Sequence, residues 1–283
     1  MHFVNMNQLY EDVRKWEKQL PYFDAVCGVP RSGMMVASTI AMLRNIRLVE
    51  LEQVLSLGPT EAINNAPLRA NNPLLRKPHG SKLLIVDDSS SPNAVTMNLI
   101  KTKLADYPDV YYGAVYGSPD SKALNFCYAK VPQPRMFEWN FFRHFLLTEC
   151  LLDLDGVICE DYINNRPETD RDPSFYKHLA EAKPLYLPAY RVKGIVTSRL
   201  ERYRKETEDW LQRHGVEYGY LSMNPSSSPE ERRMLCNHAE YKAKAYQADD
   251  TAKLFIESCR KQAFSIKQLT GKPVLCIETM NLV

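Results

Sequence analysis

Apolar runs of strand length alternate with amphipathic stretches along the whole chain, and their order predicts two α/β units. In the first half, an amphipathic helix over Met6–Leu20 precedes a strand at Ala25–Val29, a helix over Gly33–Arg44 and a short strand near Arg47–Leu51. Lys82–Val86 and Val110–Tyr116 read as further strands, with a helix over Pro92–Leu104 between them. In the second half, Leu151–Ile158 begins as an apolar run, and Gly194–Arg199 is a strand ahead of the amphipathic stretch Glu201–His214. Leu254–Ser258 is a third apolar strand that ends in an acid. Alternation of this kind favours mainly parallel sheets flanked by helices. Gly58–Ser81 is polar, rich in proline and asparagine and without period, and is expected to be a long loop. The proline- and aromatic-rich stretch Val131–Phe145 is expected to close the first unit, which sets domains of residues 1–146 and 147–283. Core packing is expected for most of Phe137, Trp139, Phe141 and Phe142.

The richest chemistry lies at Leu151-Leu152-Asp153-Leu154-Asp155-Gly156-Val157-Ile158. Residues i and i+2 of an extended chain share a face, so Asp153 and Asp155 are expected to point at one place. Such a pair suits Mg²⁺, with one carboxylate attacking phosphorus and the other moving the proton. Asp-x-Asp-Gly also opens calcium loops, but Val157 and Ile158 stand where further oxygen ligands would follow. Later in the chain come Thr197 and Ser198 at a strand end, Lys242 on a polar helical stretch, and Glu257. This ordered set, over about residues 148–283, resembles the haloacid dehalogenase-like phosphohydrolases. The resemblance implies a Rossmann-like sheet with a small cap. It makes Asp153 the nucleophile, Asp155 the general acid/base, Thr197 a phosphate-oxygen donor and Lys242 the charge neutraliser. Asp153, Asp155 and Glu257 would hold Mg²⁺. Thr197 has an alternative role as a helix cap, Lys244 competes with Lys242, and Ser258 stands where the family more often has a second acid. The short span between Ile158 and Val192 leaves room only for a small cap, and an open pocket is expected.

In the first half, Lys82–Pro92 is an apolar strand followed by Asp87 and Asp88, then Ser89, Ser90 and Ser91 in a turn that opens a helix. Helix-terminal amides and hydroxyls suit a phosphate, and adjacent aspartates suit ribose hydroxyls. Ser91 and Pro92 also fit a plain helix cap, which leaves the paired acids unexplained. Val26–Gly33 supplies a second strand, tight turn and helix, with Pro30, Arg31, Ser32 and Gly33 in the turn. Together the two turns, over about residues 20–145, resemble those of the type I phosphoribosyltransferases, which bind 5-phosphoribosyl 1-diphosphate (PRPP). The resemblance implies Asp87 and Asp88 on the ribose, Ser89–Thr96, including Ser90, Ser91 and Asn93, around the 5-phosphate, Pro30–Gly33 on the diphosphate, and Mg²⁺ bridging ribose and diphosphate. One departure is plain: no glycine occurs between Gly80 and Gly113, so the positive-φ geometry of the phosphate loop is expected to fall to Asn93.

A transferase that leaves a 5-phosphate monoester, joined to a phosphatase that removes one, resembles the dual-domain ribofuranosyltransferases of bacterial surface-polysaccharide assembly. That resemblance implies PRPP and a glycan acceptor, free or lipid-linked, as partners. Two rivals remain: a nucleobase phosphoribosyltransferase fused to a nucleotidase, and a regulatory protein that senses a nucleotide or PRPP. In 283 residues, 36 basic and 34 acidic side chains give a net charge of +2, so no global charge draws the chain to nucleic acid or membrane. Seven cysteines without Cys-x-x-Cys spacing read as reduced thiols in a cytoplasmic protein, with Cys27, Cys150 and Cys276 as small apolar residues in strands. No apolar run is long enough to span a bilayer and no signal-peptide pattern is present, while peripheral attachment stays open.

Overall fold

A computed structural model describes residues 1–66, 80–91, 93–118, 124–162, 173–235 and 238–283. The chain divides into two compact units, His2–Arg135 and Met136–Val283. The division comes earlier than the boundary expected near Leu146, because the aromatic stretch packs with the later residues. Phe142 stacks on Tyr186 with ring centroids 4.9 Å apart, and its carbonyl accepts from the Ala189 amide.

The first unit contains β1 (His2–Val4), α1 (Met6–Glu17), β2 (Ala25–Gly28), α2 (Gly33–Arg44), β3 (Arg47–Val49), α3 (Leu51–Leu57), α4 (Pro59–Asn65), β4 (Leu83–Ser90), α5 (Val95–Lys103), β5 (Val110–Gly117) and β6 (Phe126–Lys130). Five strands form one parallel sheet in the order β3-β2-β4-β5-β6. Leu83, Leu84, Ile85 and Val86 are all fully buried, as expected for a parallel strand covered on both faces. Ala25, Cys27, Leu83 and Ile85 pack with Val54, Ile63, Met97 and Ile100, so α3, α4 and α5 cover one face. The loop expected over Gly58–Ser81 instead begins with α4, whose first residue is Pro59, a position where proline's missing N–H costs nothing. Residues 67–79 of that segment lie outside the described residues.

β7 (Arg135–Phe137) spans the division. The second unit continues with β8 (Cys150–Leu152), α6 (Pro173–Glu181), β9 (Val192–Leu200), α7 (Arg204–Arg213), β10 (Tyr218–Asn224), α8 (Pro229–Leu235), α9 (His238–Ala248), β11 (Leu254–Glu257), α10 (Arg260–Thr270), β12 (Val274–Cys276) and β13 (Asn281–Leu282). Its sheet runs β10-β9-β8-β11-β12-β13, parallel except for the last pair. Leu151, Val196 and Phe255 from three of these strands pack with Ala243 and Tyr246 of α9 and Ile266 of α10. Cys27, Cys150 and Cys276 are buried in strands, in keeping with their expected apolar role.

In both sheets the chain leaves a central strand toward one edge and later returns to its other side. The reversal lies between β2 and β4 in the first unit and between β8 and β11 in the second. Loops at the carboxyl ends of such strands diverge and leave a crevice where ligands bind. Among the described residues no helix is long and apolar enough to cross a membrane.

Candidate active site

In the second unit, β8 and β11 deliver Asp153 and Glu257 to the reversal point. The Asp153 amide bonds to the Ile256 carbonyl at 2.9 Å, which fixes the start of the turn against β11. Gly156 then takes φ +78°, and a Cβ there would lie 2.5 Å from Ser258 Oγ, so glycine is needed for both backbone and space. Lys242 Nζ reaches in from α9. It donates to Asp153 Oδ2 and Glu257 Oε2, each at 2.7 Å, and to Gln262 Oε1 at 3.0 Å. Lys244, two residues on, is exposed.

Asp155 is held by a different cation. Arg199 Nε donates to its Oδ2 at 2.9 Å and Arg199 Nη2 to its Oδ1 at 2.6 Å, a forked pair that a lysine could not make. His178 Nε2 lies 3.5 Å from the same Oδ1. Thr197 Oγ1 accepts from the Arg199 amide at 3.1 Å, so Thr197 braces the end of β9 that carries this arginine rather than capping α7. Asp153, Asp155, Thr197 and Lys242 all line one cavity of about 140 Å³. At roughly 30 Å³ per water, that is room for about four or five waters. The cavity shares Asp161, Tyr162 and His178 with an adjoining, wider groove of about 710 Å³.

Charge settles along these contacts. Burial raises the Asp153 pKa, and Lys242 opposes that rise. Burial alone would lower the Lys242 pKa, but Asp153 and Glu257 outweigh it and raise it. Burial would raise Asp155, and Arg199 with His178 reverses this and holds the carboxyl well below the usual carboxylate range. A group so held carries no proton at neutral pH, so the proton-donor half of the expected Asp155 role does not follow from this geometry. The donor set expected for Mg²⁺ is also tied up. Lys242 stands between Asp153 and Glu257, Arg199 occupies Asp155, and no group of three His, Cys, Asp or Glu among the described residues is placed to hold a metal ion.

In the first unit, β4 runs further than expected. Asp87, Asp88, Ser89 and Ser90 are not in a turn but remain in the strand, with Asp87, Ser89 and Ser90 in register with Ala114, Tyr116 and Gly117 of β5. Their side chains alternate as a strand requires. Asp88 and Ser90 are buried, while Asp87 and Ser89 are half-buried. Ser32 Oγ donates to Asp88 Oδ1 at 2.7 Å and links the two crevice walls. The Asp88 amide donates to Asp87 Oδ1 at 2.8 Å. Burial and the adjacent Asp88 push the Asp87 pKa up to about 9. A Cβ on Gly33 would lie 2.6 Å from the Val86 carbonyl, so only glycine lets α2 begin this close to β4. Pro30 and Arg31 are exposed at the mouth.

The turn before α5 departs from expectation. Pro92 lies outside the described residues, Asn93 is an exposed turn residue, and the left-handed position is Ala94, at φ 39° and ψ 43°. Ser91 Oγ accepts from the Ala94 amide at 3.2 Å, so this serine stabilises the turn. Sequence reasoning assigned no role to Arg199, His178, Gln262 or Ser198, all of which line the cavity of the second unit. Arg199 was the most accessible of them, since a cation closing an apolar strand needs a buried partner.

No family model matches the sequence, and no curated protein matches it. Among solved structures, the chain is similar to a Helicobacter pylori xanthine-guanine-hypoxanthine phosphoribosyltransferase, at 17% identity and a TM-score of 0.35, over 49% of this chain and 91% of that one. A purine phosphoribosyltransferase from Pyrococcus horikoshii matches at 14% identity and a TM-score of 0.33, over 49% of this chain and 94% of that one. A chain of the Pnkp1/Rnl/Hen1 RNA repair complex matches at 13% identity and a TM-score of 0.34, over 97% of this chain and 94% of that one. Likeness at this level lends no weight to a substrate or a reaction, which are left to the side chains of this chain.

Proposed function

We propose that the chain is a two-step enzyme that transfers 5-phosphoribosyl from PRPP to a glycan hydroxyl and then removes the 5-phosphate, leaving a ribofuranosyl group. The observation that carries the hydrolytic step is the contact of Lys242 with both Asp153 and Glu257 at the reversal point of the second sheet. Asp153 attacks phosphorus, the bond to the sugar oxygen breaks, and the leaving oxygen takes a proton from solvent water in the cavity. Water then cleaves the aspartyl phosphate, and Asp155, held ionised by Arg199, takes its proton and returns it to solvent. Lys242 neutralises the two carboxylates and holds Asp153 in line. The wide groove beside Asp161, Tyr162 and His178 supports a leaving group larger than a free sugar.

For the transfer step, support comes from the crevice between β2 and β4. The amides that begin α2 suit the diphosphate, Arg31 offers a cation at the mouth, and Asp87 with Asp88 suits the ribose hydroxyls. The test is mass spectrometry of products from PRPP and a panel of oligosaccharide acceptors. The parent chain should add ribose without phosphate, and Asp153→Asn should accumulate the phosphoribosylated acceptor. Asp87→Asn should consume no PRPP while still releasing phosphate from that intermediate. Loss of both steps in either variant, or transfer to free nucleobases in preference to glycans, refutes the proposal.

A further inference from the structure

An anion in the Asp153 cavity needs hydrogen-bond donors, and Lys242 and Arg199, two of the buried cations that line it, have directed theirs elsewhere. An ammonium has three N–H groups. All three of Lys242's are spent, on Asp153, Glu257 and Gln262. Arg199 turns its guanidinium to Asp155, to Thr207 Oγ1 at 3.4 Å and to Cys159 Sγ at 3.5 Å.

Neutral donors stand in the same cavity. Lys242 offers no acceptor, so the Gln262 atom that faces it must be the carbonyl oxygen, and this fixes which way the amide points. Gln262 Nε2 has no hydrogen-bond partner among the described residues, and Gln262 lines the cavity. The Ser198 hydroxyl is buried, also lines it, and likewise lacks a partner among the described residues. A buried hydroxyl without a partner is costly unless a ligand supplies one.

We propose that the Gln262 amide, with the Ser198 hydroxyl in the same cavity, holds the phosphoryl oxygens of the substrate, and that Lys242 is a positioning residue for Asp153. This rests on the phosphatase half of the function above and names which groups recognise its substrate.

The experiment measures inorganic phosphate binding by titration calorimetry and hydrolysis of p-nitrophenyl phosphate, on the full chain and three variants. Gln262→Glu keeps an oxygen for Lys242 and removes the donor. Gln262→Met removes both without adding charge. Ser198→Ala removes the second donor, and is an independent readout should a Gln262 variant fold poorly. Each variant should weaken phosphate affinity and raise KM by about tenfold or more, with a smaller change in kcat. Parental affinity and KM in Gln262→Glu, which loses the donor and adds a charge that repels the anion, overturn the proposal. Parental values in Gln262→Met or in Ser198→Ala overturn it as well. A parent chain that neither binds phosphate nor cleaves the ester refutes the phosphatase reading itself, and this proposal with it.

Discussion

Lys242→Met should destabilise the second unit by about 3–5 kcal/mol at neutral pH, because it strands two buried carboxylates without their shared cation. The side chains of Lys242, Asp153 and Glu257 are 2%, 6% and 0% exposed, so removing the ammonium leaves two largely desolvated carboxylates side by side. For a unit of this size each kcal/mol moves the melting temperature by about 2–4 °C, which gives a loss of about 6–20 °C by calorimetry. The sign with pH follows from the stranded acids. Burial raises the Asp153 pKa, and protonating this carboxyl removes part of the uncompensated charge, so the deficit should shrink on acidification. In the parent, the raised Lys242 pKa contributes stability that is complete below the unfolded value of about 10.4 and is lost only as pH climbs through the folded value. Adding Glu257→Gln to Lys242→Met should restore part of the loss, since one carboxylate then remains. A Lys242→Met variant that melts within about 1 °C of the parent, or whose deficit grows in acid, would refute the ion-cluster argument.

Other consequences are as direct. Arg199→Lys replaces a forked contact with a point charge, so the Asp155 pKa should rise and kcat for phosphate release should fall, with an altered pH–rate profile as the readout. Asp87→Asn should raise the melting temperature at neutral pH. The Asp87 pKa is pushed up to about 9, so folding favours its protonated form, and this stability, whole below the unfolded value of about 3.9, is lost as pH rises through 9. No gain, or the same gain at pH below that unfolded value, would count against this account. Gly33→Ala should cost about 1–3 kcal/mol and weaken PRPP binding, measured by chemical denaturation and titration, because its Cβ would press on the Val86 carbonyl.

The two α/β sheets were legible because both faces of each sheet are covered, and continuous apolar runs such as Leu83–Val86 carry a clear signal. The helix Gly33–Arg44 agrees with expectation at both ends, where Gly33 and the left-handed Asn45 mark its limits. β10 was missed, since Tyr218, Gly219 and Tyr220 at its start are partly exposed and show no apolar run. β4 was ended too early because Asp and Ser favour turns, whereas pairing with β5 carries them on as strand. Within the site, the order of motifs along the chain named side chains that the fold brings together, with Asp153, Asp155, Thr197 and Lys242 on one cavity and Glu257 against Lys242. It could not show how the two cations divide the three carboxylates, because that pairing joins residues far apart in sequence, such as Asp155 and Arg199.

The alanine that precedes α5 narrows the substitutions open to that corner of the fold. An L-residue in this conformation carries a standing penalty that glycine escapes and asparagine softens, whereas valine, isoleucine and threonine would aggravate it. Saturation of codon 94 followed by selection for folded protein should therefore enrich the smallest and the most turn-tolerant residues, and the loop's shortest route to a glycine hinge is a single exchange at a position already bent for it.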